Sequence, residues 1–250
     1  MAILRNHVPY FAEIVRLPGF LTDPVLTFGY QEVYIDATRY LAWHEIDTKL
    51  KIKKARRYFV EKGEAFFGKR HRDLHIPRQM LEKDLKGVLT NYGMKDLTVL
   101  DFEDFRADVR HDMNIPIPDH LRSKFNTIID IGSLEHVFDT KRCLENLFSM
   151  LKVNGHILLH TPCKGCFDHG LHTFSPECIL ASLKFNGFEI RYVAYSTESG
   201  LPLAAPGNGR DVIIWVVARK VGEMKVFVVP QQGRWQEKYA WQKSELPASV

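Results

Sequence analysis

Residues 125–162, FNTIIDIGSLEHVFDTKRCLENLFSMLKVNGHILLHTP, decide the fold. Residues 126–131 (NTIIDI) are a short apolar run rich in β-branched side chains, the pattern of a strand covered on both faces. The run ends in the loop Gly132, Ser133, Leu134, Glu135 and His136. From Asp139 or Thr140, either of which can cap a helix, Leu144, Leu147, Phe148 and Leu151 recur at helical spacing. Asn154 and Gly155 are expected to end that helix before a second strand over 156–160. Such a strand, helix, strand unit takes a right-handed crossover. Ligands of open α/β sheets bind outside the carboxyl ends of the strands, so the loop 132–136 is predicted on the rim of a cleft.

The chain has 250 residues and is 45% hydrophobic, enough for one sizeable α/β core. No run approaches the roughly 18 apolar residues of a membrane span, and the N-terminus lacks a basic segment followed by an apolar one. A soluble, cytoplasmic protein with no membrane partner is therefore expected. Cys143, Cys163, Cys166 and Cys178 are expected to be reduced thiols, because a chain of this size needs no disulfides. Ten Lys or Arg between Lys49 and Arg72 face only Glu61 and Glu64, an excess larger than the net charge of +4, so the remainder is slightly acidic. Such a run reads as a solvated helix face or as a surface that meets an anionic partner. Nucleic acid is disfavoured, because the run carries no recognisable nucleic-acid module.

Outward from the central unit, residues 1–24 form an N-terminal segment in which Pro9, Pro18 and Pro24 limit any helix to a few turns. Residues 25–29 (VLTFG) read as a buried strand ending on Gly29, followed by Tyr30 and Gln31. Residues 38–90 read as a mostly helical insertion, longer than one crossover helix requires. A second strand over 97–102 places Asp101 at its carboxyl end beside Phe102, and 107–113 reads as a short third strand reaching Asp112 and Met113. After a loop over 161–173, Ser175, Pro176 and Glu177 start a helix that Asn186 and Gly187 end. Strands follow over 188–195 and 211–220, and the tail 221–250 offers one more over 225–229, then Trp235 and Trp241, which read as caps on the domain.

The segments SLEHV (133–137) and LFSMLKVNGHILLHTP (147–162) resemble the middle of class I S-adenosylmethionine-dependent methyltransferases, where an LEH turn precedes a helix, an LKxGG turn and the next strand. Residues 26–31 (LTFGYQ), Asp168-His169-Gly170 and 174–177 (FSPE) resemble a bacterial methyltransferase-like branch with LTxGxQ and a later DHG and FSPE. Where the family has a loop of three glycines, this chain has Gly29 alone. The resemblance covers residues 25–220 and implies a Rossmann-like, mostly parallel sheet of seven strands, the seventh antiparallel and inserted between the fifth and sixth. It implies that Gly29, Tyr30, Gln31, Asp101, Phe102, Asp112, Met113, Gly132, Ser133, Leu134 and Glu135 hold S-adenosylmethionine. Within that set Asp101 meets the ribose hydroxyls, Asp112 the adenine amino group and Met113 its ring. His136 and His169, in the loops after the fourth and fifth strands, are the candidate catalytic residues, as a base where the acceptor is protonated, with His169 on the acceptor side and His136 on the cofactor side.

The function expected is methyl transfer to a small acceptor, for which the basic run suggests an anion, with homo-oligomerisation left open. The alternative is a methyltransferase-like protein without catalysis that serves as a binding or scaffolding partner. A third reading takes Cys163, Cys166, His169 and His172 as a zinc module, since thiolates and imidazoles are the right donors. It ranks below a metal-free site, because four ligands within ten residues strain one loop.

Overall fold

The computed structural model describes residues 2–35 and 76–231. The basic run, most of the insertion expected over 38–90, and Trp235 and Trp241 lie outside the described residues. β1 (Ala2–Leu4) pairs in parallel with β3 (Glu32–Tyr34), and between them come α1 (Val8–Ile14) and β2 (Val25–Phe28). Then follow α2 (Leu85–Asn91), β4 (Leu97–Asp101), β5 (Val109–Arg110), β6 (Phe125–Ile131), α3 (Thr140–Met150), β7 (Leu151–Lys164), α4 (Pro176–Phe185), β8 (Phe188–Thr197), β9 (Pro202–Leu203) and β10 (Val212–Lys220).

The main sheet has the order β5-β4-β2-β6-β7-β10-β8-β9. Its first five strands are parallel, and β10 lies antiparallel between β7 and β8. This is the Rossmann-like arrangement expected, including the inserted antiparallel strand. The two-residue β9 adds an eighth strand to the seven expected, at the edge beyond β8.

The central strands are buried on both faces, and side-chain alternation assigns each residue its layer. Ile128, Ile157, Leu159, Ile214 and Val216 pack with α3 and α4 on one face. Ile129, Ile131, Leu158, Ile213, Trp215 and Val217 pack with α1 and α2 on the other. No helix among the described residues is long and apolar enough to cross a membrane.

Several expected boundaries move. Pro9 sits in the first turn of α1, where a missing N–H costs nothing, so the N-terminal segment forms a helix whose Val8, Phe11 and Ile14 join the core. α3 ends at Met150, not at Asn154-Gly155, because Leu151 is already extended and pairs with Phe125. Asn154, with φ +69, and Gly155, whose Cβ would lie 2.8 Å from the Asn126 carbonyl oxygen, mark the register shift between that pair and the rest of β7. The third strand shrinks to Val109–Arg110, and residues 225–229 form no strand. The tail is instead held by Asn186, whose Oδ1 accepts from Val228 N at 2.7 Å while its Nδ2 donates to Val228 O at 2.9 Å.

The carbonyls at the end of α3 are met by Lys220 of β10. Its buried Nζ donates to Phe148 O at 2.9 Å and Leu151 O at 2.8 Å, where the helix dipole favours a cation. Lys220→Met keeps the apolar stem and removes both bonds. Urea unfolding should show a loss of about 2–4 kcal/mol.

Under the other face, His7, His160 and Trp215 form a buried ring cluster, with His160 and Trp215 centroids 4.2 Å apart. Burial pushes the His7 imidazole down to about 4 and holds that of His160 well below the usual range. A depressed folded-state value gives stability that is present above the unfolded value near 6.5 and lost as pH falls through about 4. Between pH 7 and pH 5, His7 should account for a loss of about 2 kcal/mol in unfolding free energy. His7→Gln should narrow that difference without abolishing it, because His160 acts in the same direction.

Candidate functional site

The carboxyl ends of β2 and β4 open into a cleft of about 640 Å3, lined by Tyr30, Asp101, Arg106, His136 and His169 among others. It lies where the strand order reverses direction, between β2 and β6, as ligand sites of open α/β sheets do. Its floor is set by Asp101. Oδ2 accepts from Tyr30 N at 2.8 Å, and Oδ1 accepts from Glu103 N at 3.0 Å and Asp104 N at 3.1 Å. A carboxylate offers about four lone-pair sites, so Asp101 keeps acceptor capacity for a ligand hydroxyl.

One wall is charged and aromatic. The Arg106 guanidinium lies 3.7 Å from the Tyr30 ring centroid, grips Asp104 through two bonds of 2.9 and 2.6 Å, and reaches Glu32 at 3.3 Å. Asp104 is held below the usual carboxylate range by its hydrogen bonds with Arg106. The Tyr30 hydroxyl donates to Asp84 at 2.8 Å and is pushed up to about 12, by burial first and then by that carboxylate. Glu32, Tyr34, Glu103 and Phe105 complete this wall, and Ala2 of β1 reaches it because β1 pairs with β3. Of these, the sequence pointed to Tyr30 alone.

The opposite end is built by the loop after β6. The fully buried Asp130 accepts from Ser133 N at 2.8 Å, and its carboxyl is raised well above the usual range by burial and by Glu135. Ser133 Oγ donates to Phe28 O at 2.8 Å and accepts from Gln31 Nε2 at 3.1 Å, which ties this loop to the end of β2. Gly29, at φ +84, is needed there. A Cβ on it would lie 2.2 Å from Ser133 Oγ and 2.7 Å from Gln31 Nε2. Gln31 Oε1 remains buried with no hydrogen-bond partner.

Glu135 is 0% exposed, and its Oε2 accepts from Thr161 Oγ1 at 3.0 Å. Its backbone oxygen accepts from Leu171 N and His172 N, which fastens the loop after β7 onto it. That approach requires Gly170, at φ +77, because a Cβ there would lie 2.9 Å from Glu135 Cγ. His169 is thereby set with Nε2 3.7 Å from Glu135 Oε1, and its ring centroid is 5.5 Å from that of His136. The Glu135 carboxylate raises the His169 imidazole above its ordinary value, whereas burial lowers that of His136.

The remaining expected residues fall elsewhere. Leu134 and Met113 are core side chains. Phe102 is exposed, and Asp112 closes its own turn by accepting from Asn114 N and Nδ2. The zinc module is not assembled. Cys163 packs in the core on one face of the sheet and Cys166 in the core on the other, while His172 contacts Phe138 O at 3.1 Å. β7 runs on to Lys164, so residues 161–163 belong to a strand rather than to the expected loop.

No protein-family model matches the chain, and no curated protein matches it in sequence. Similar solved structures include an S-adenosylmethionine-dependent methyltransferase of Mesorhizobium loti, 16% identical over 49% of this chain and 80% of that one, with a TM-score of 0.35. A SAM-dependent methyltransferase of Methanosarcina mazei is 13% identical over 51% of this chain and 82% of its own, with a TM-score of 0.36. The YcgJ protein of Bacillus subtilis is 12% identical over 87% and 100%, with a TM-score of 0.41. At these identities and TM-scores the likenesses assign no activity, and the fold rests on the strand order of the molecule itself.

The crowding at Gly29 has a measurable consequence. Gly29→Ala should lower unfolding free energy by at least about 2 kcal/mol, from left-handed backbone strain plus the collision with Ser133. Ser133→Ala in the same chain removes the Oγ and should recover part of that loss. A double-mutant cycle in urea should give a coupling of roughly 1 kcal/mol.

Proposed function

We propose that this chain transfers a methyl group from S-adenosylmethionine to a small anionic acceptor at the histidine end of the cleft. The observation that carries this reading is the pair of unspent acceptors at the strand ends. Asp101 retains about one lone-pair site where the resemblance puts the ribose, and Gln31 Oε1 is a buried acceptor without a partner beside Gly29. A cofactor carrying hydroxyl and ammonium donors suits both. Glu32, Asp101, Glu103 and Asp104 outnumber Arg106 along the cleft, which favours a cationic ligand.

The bound cofactor would supply an activated methyl group on a sulfonium. The chain's own residues would do the positioning, since in-line displacement is accelerated mainly by alignment at about 3 Å. Tyr30 and Arg106 form a flat wall for the nucleoside, and Asp101 fixes its ribose. Ser133 and Gln31 set the depth at which the methionine end stops. His136 and His169 would contact the acceptor. The ten basic residues of 49–72 lie outside the described residues, and their charge as sequence is what suggests an anionic acceptor.

A fold kept for binding without catalysis is the second reading. It is favoured by one observation, that the space against Gly29 is filled by Ser133 and Gln31. Calorimetric titration with S-adenosylmethionine and S-adenosylhomocysteine separates the two. Micromolar binding of either supports methyl transfer, and no heat at millimolar ligand supports the binding module. Asp101→Asn keeps an oxygen for Tyr30 N but turns the other carboxylate oxygen into an amide donor, which reduces the acceptor capacity left for a ribose hydroxyl. It should weaken cofactor binding by about 1–3 kcal/mol, and unchanged affinity would remove Asp101 from the site.

A further inference from the structure

Among the described residues, Glu135, His136 and His169 form a group of metal-type donors whose ligand atoms all lie within 4.8 Å of one another. Two imidazoles and one carboxylate are the donor set of open, three-ligand metal sites. We propose that Glu135, His136 and His169 bind a divalent transition cation at the histidine end of the cleft, with its remaining positions open to an oxygen of the acceptor.

A second, independent observation points to a ligand. Glu135 is completely buried, and its Oε1 has no hydrogen-bond partner although it is directed at His169 Nε2, 3.7 Å away. At 3.7 Å the His169 contact is an ion pair too long for a hydrogen bond, which leaves a buried carboxylate oxygen short of a donor, and a cation between it and the imidazoles removes that cost. The surroundings are built as metal sites are. Thr161 Oγ1 donates to the other carboxylate oxygen and fixes its orientation, the role of an outer partner. Gly170 permits the close approach that holds His169 against Glu135.

His136 is exposed and His169 half-buried, and both line the open cleft, so roughly 1 Å of side-chain movement brings all three donors to bonds of about 2.1 Å. Mixed nitrogen and oxygen donors select Zn2+, Co2+, Fe2+ or Mn2+ over Mg2+ and Ca2+, which take oxygen alone. Cation binding does not depend on the methyl-transfer reading. Only its use in holding the acceptor rests on that reading.

Cobalt titration of the full chain at neutral pH tests the site, read by d–d absorption and by calorimetry. The expected result is saturable binding with an equimolar end-point, displaced by Zn2+. His136→Ala and His169→Ala should each weaken it at least about tenfold, since even outer partners of metal ligands contribute that much. Glu135→Gln should weaken it likewise. Should that buried variant fail to fold, the two cleft-lining histidine variants still decide. No saturable cobalt binding, or binding unchanged in both histidine variants, would overturn the proposal. Cobalt binding without S-adenosylmethionine binding would keep the metal site and remove the methyl-transfer reading, and the reverse result would do the opposite.

Discussion

Two carboxyl groups with no access to water hold the cleft together. Asp130 and Glu135 are both fully buried, five residues apart across the turn that ends β6, and each must find its partners inside the protein. Asp130 takes Ser133 N, which points Ser133 Oγ at Phe28 O and so sets the end of β2. Glu135 takes Thr161 Oγ1 from β7, while its backbone oxygen takes Leu171 N and His172 N. The end of β2, the strand β7 and the loop after it are thereby fixed from one short segment. Burial, and after it the neighbouring Glu135, raises the Asp130 carboxyl well above its ordinary value.

The sheet was readable because burial on both faces leaves a local record. Runs such as NTIIDI and VIIWVV need no distant information to be recognised as central strands, whereas the antiparallel placement of the last of them was implied by the family resemblance. Capping was equally local. Asp139 accepts from Arg142 N and Ser175 from Cys178 N, as their side chains suggested. What escaped the sequence was contact between distant segments. β1 and β3 have three residues each and gain their identity only by pairing. Lys220 ends a helix that lies some seventy positions earlier in the chain, and Asn186 does the work of a strand for Val228. Neither side chain carries a local signal for those roles.

The site was legible to the same degree and for the same reason. Tyr30, Asp101, His136 and His169 stand at strand ends or in the turns that follow them, so strand assignment together with the family resemblance pointed to them, and all four line the cleft. Arg106 was missed because its place depends on stacking over Tyr30 across seventy-odd residues. The Cys163 and Cys166 reading failed on parity. Once β7 is carried to Lys164, the turn at Gly165 sends the second cysteine to the opposite face, so spacing that suits a metal knuckle describes two core thiols. Glu135 was placed among the cofactor contacts, yet nothing in the sequence says that it lies wholly beneath the surface with one oxygen unpaired.

The reduced glycine loop follows from this packing. Three glycines in a loop keep side chains away from a bound cofactor over its whole length. Here Gly29 alone takes the left-handed conformation at the end of β2, and the space against it is occupied by Ser133 and Gln31. Those two side chains are anchored through Phe28 O, so they form a rigid polar surface rather than an obstruction that can swing aside. A ligand meeting that surface is recognised by side-chain polar atoms where a longer glycine loop would offer backbone amides. Ser133 is held by Asp130, five residues before Glu135 in the same turn, so one short segment links the Ser133 and Gln31 surface to the histidine end of the cleft.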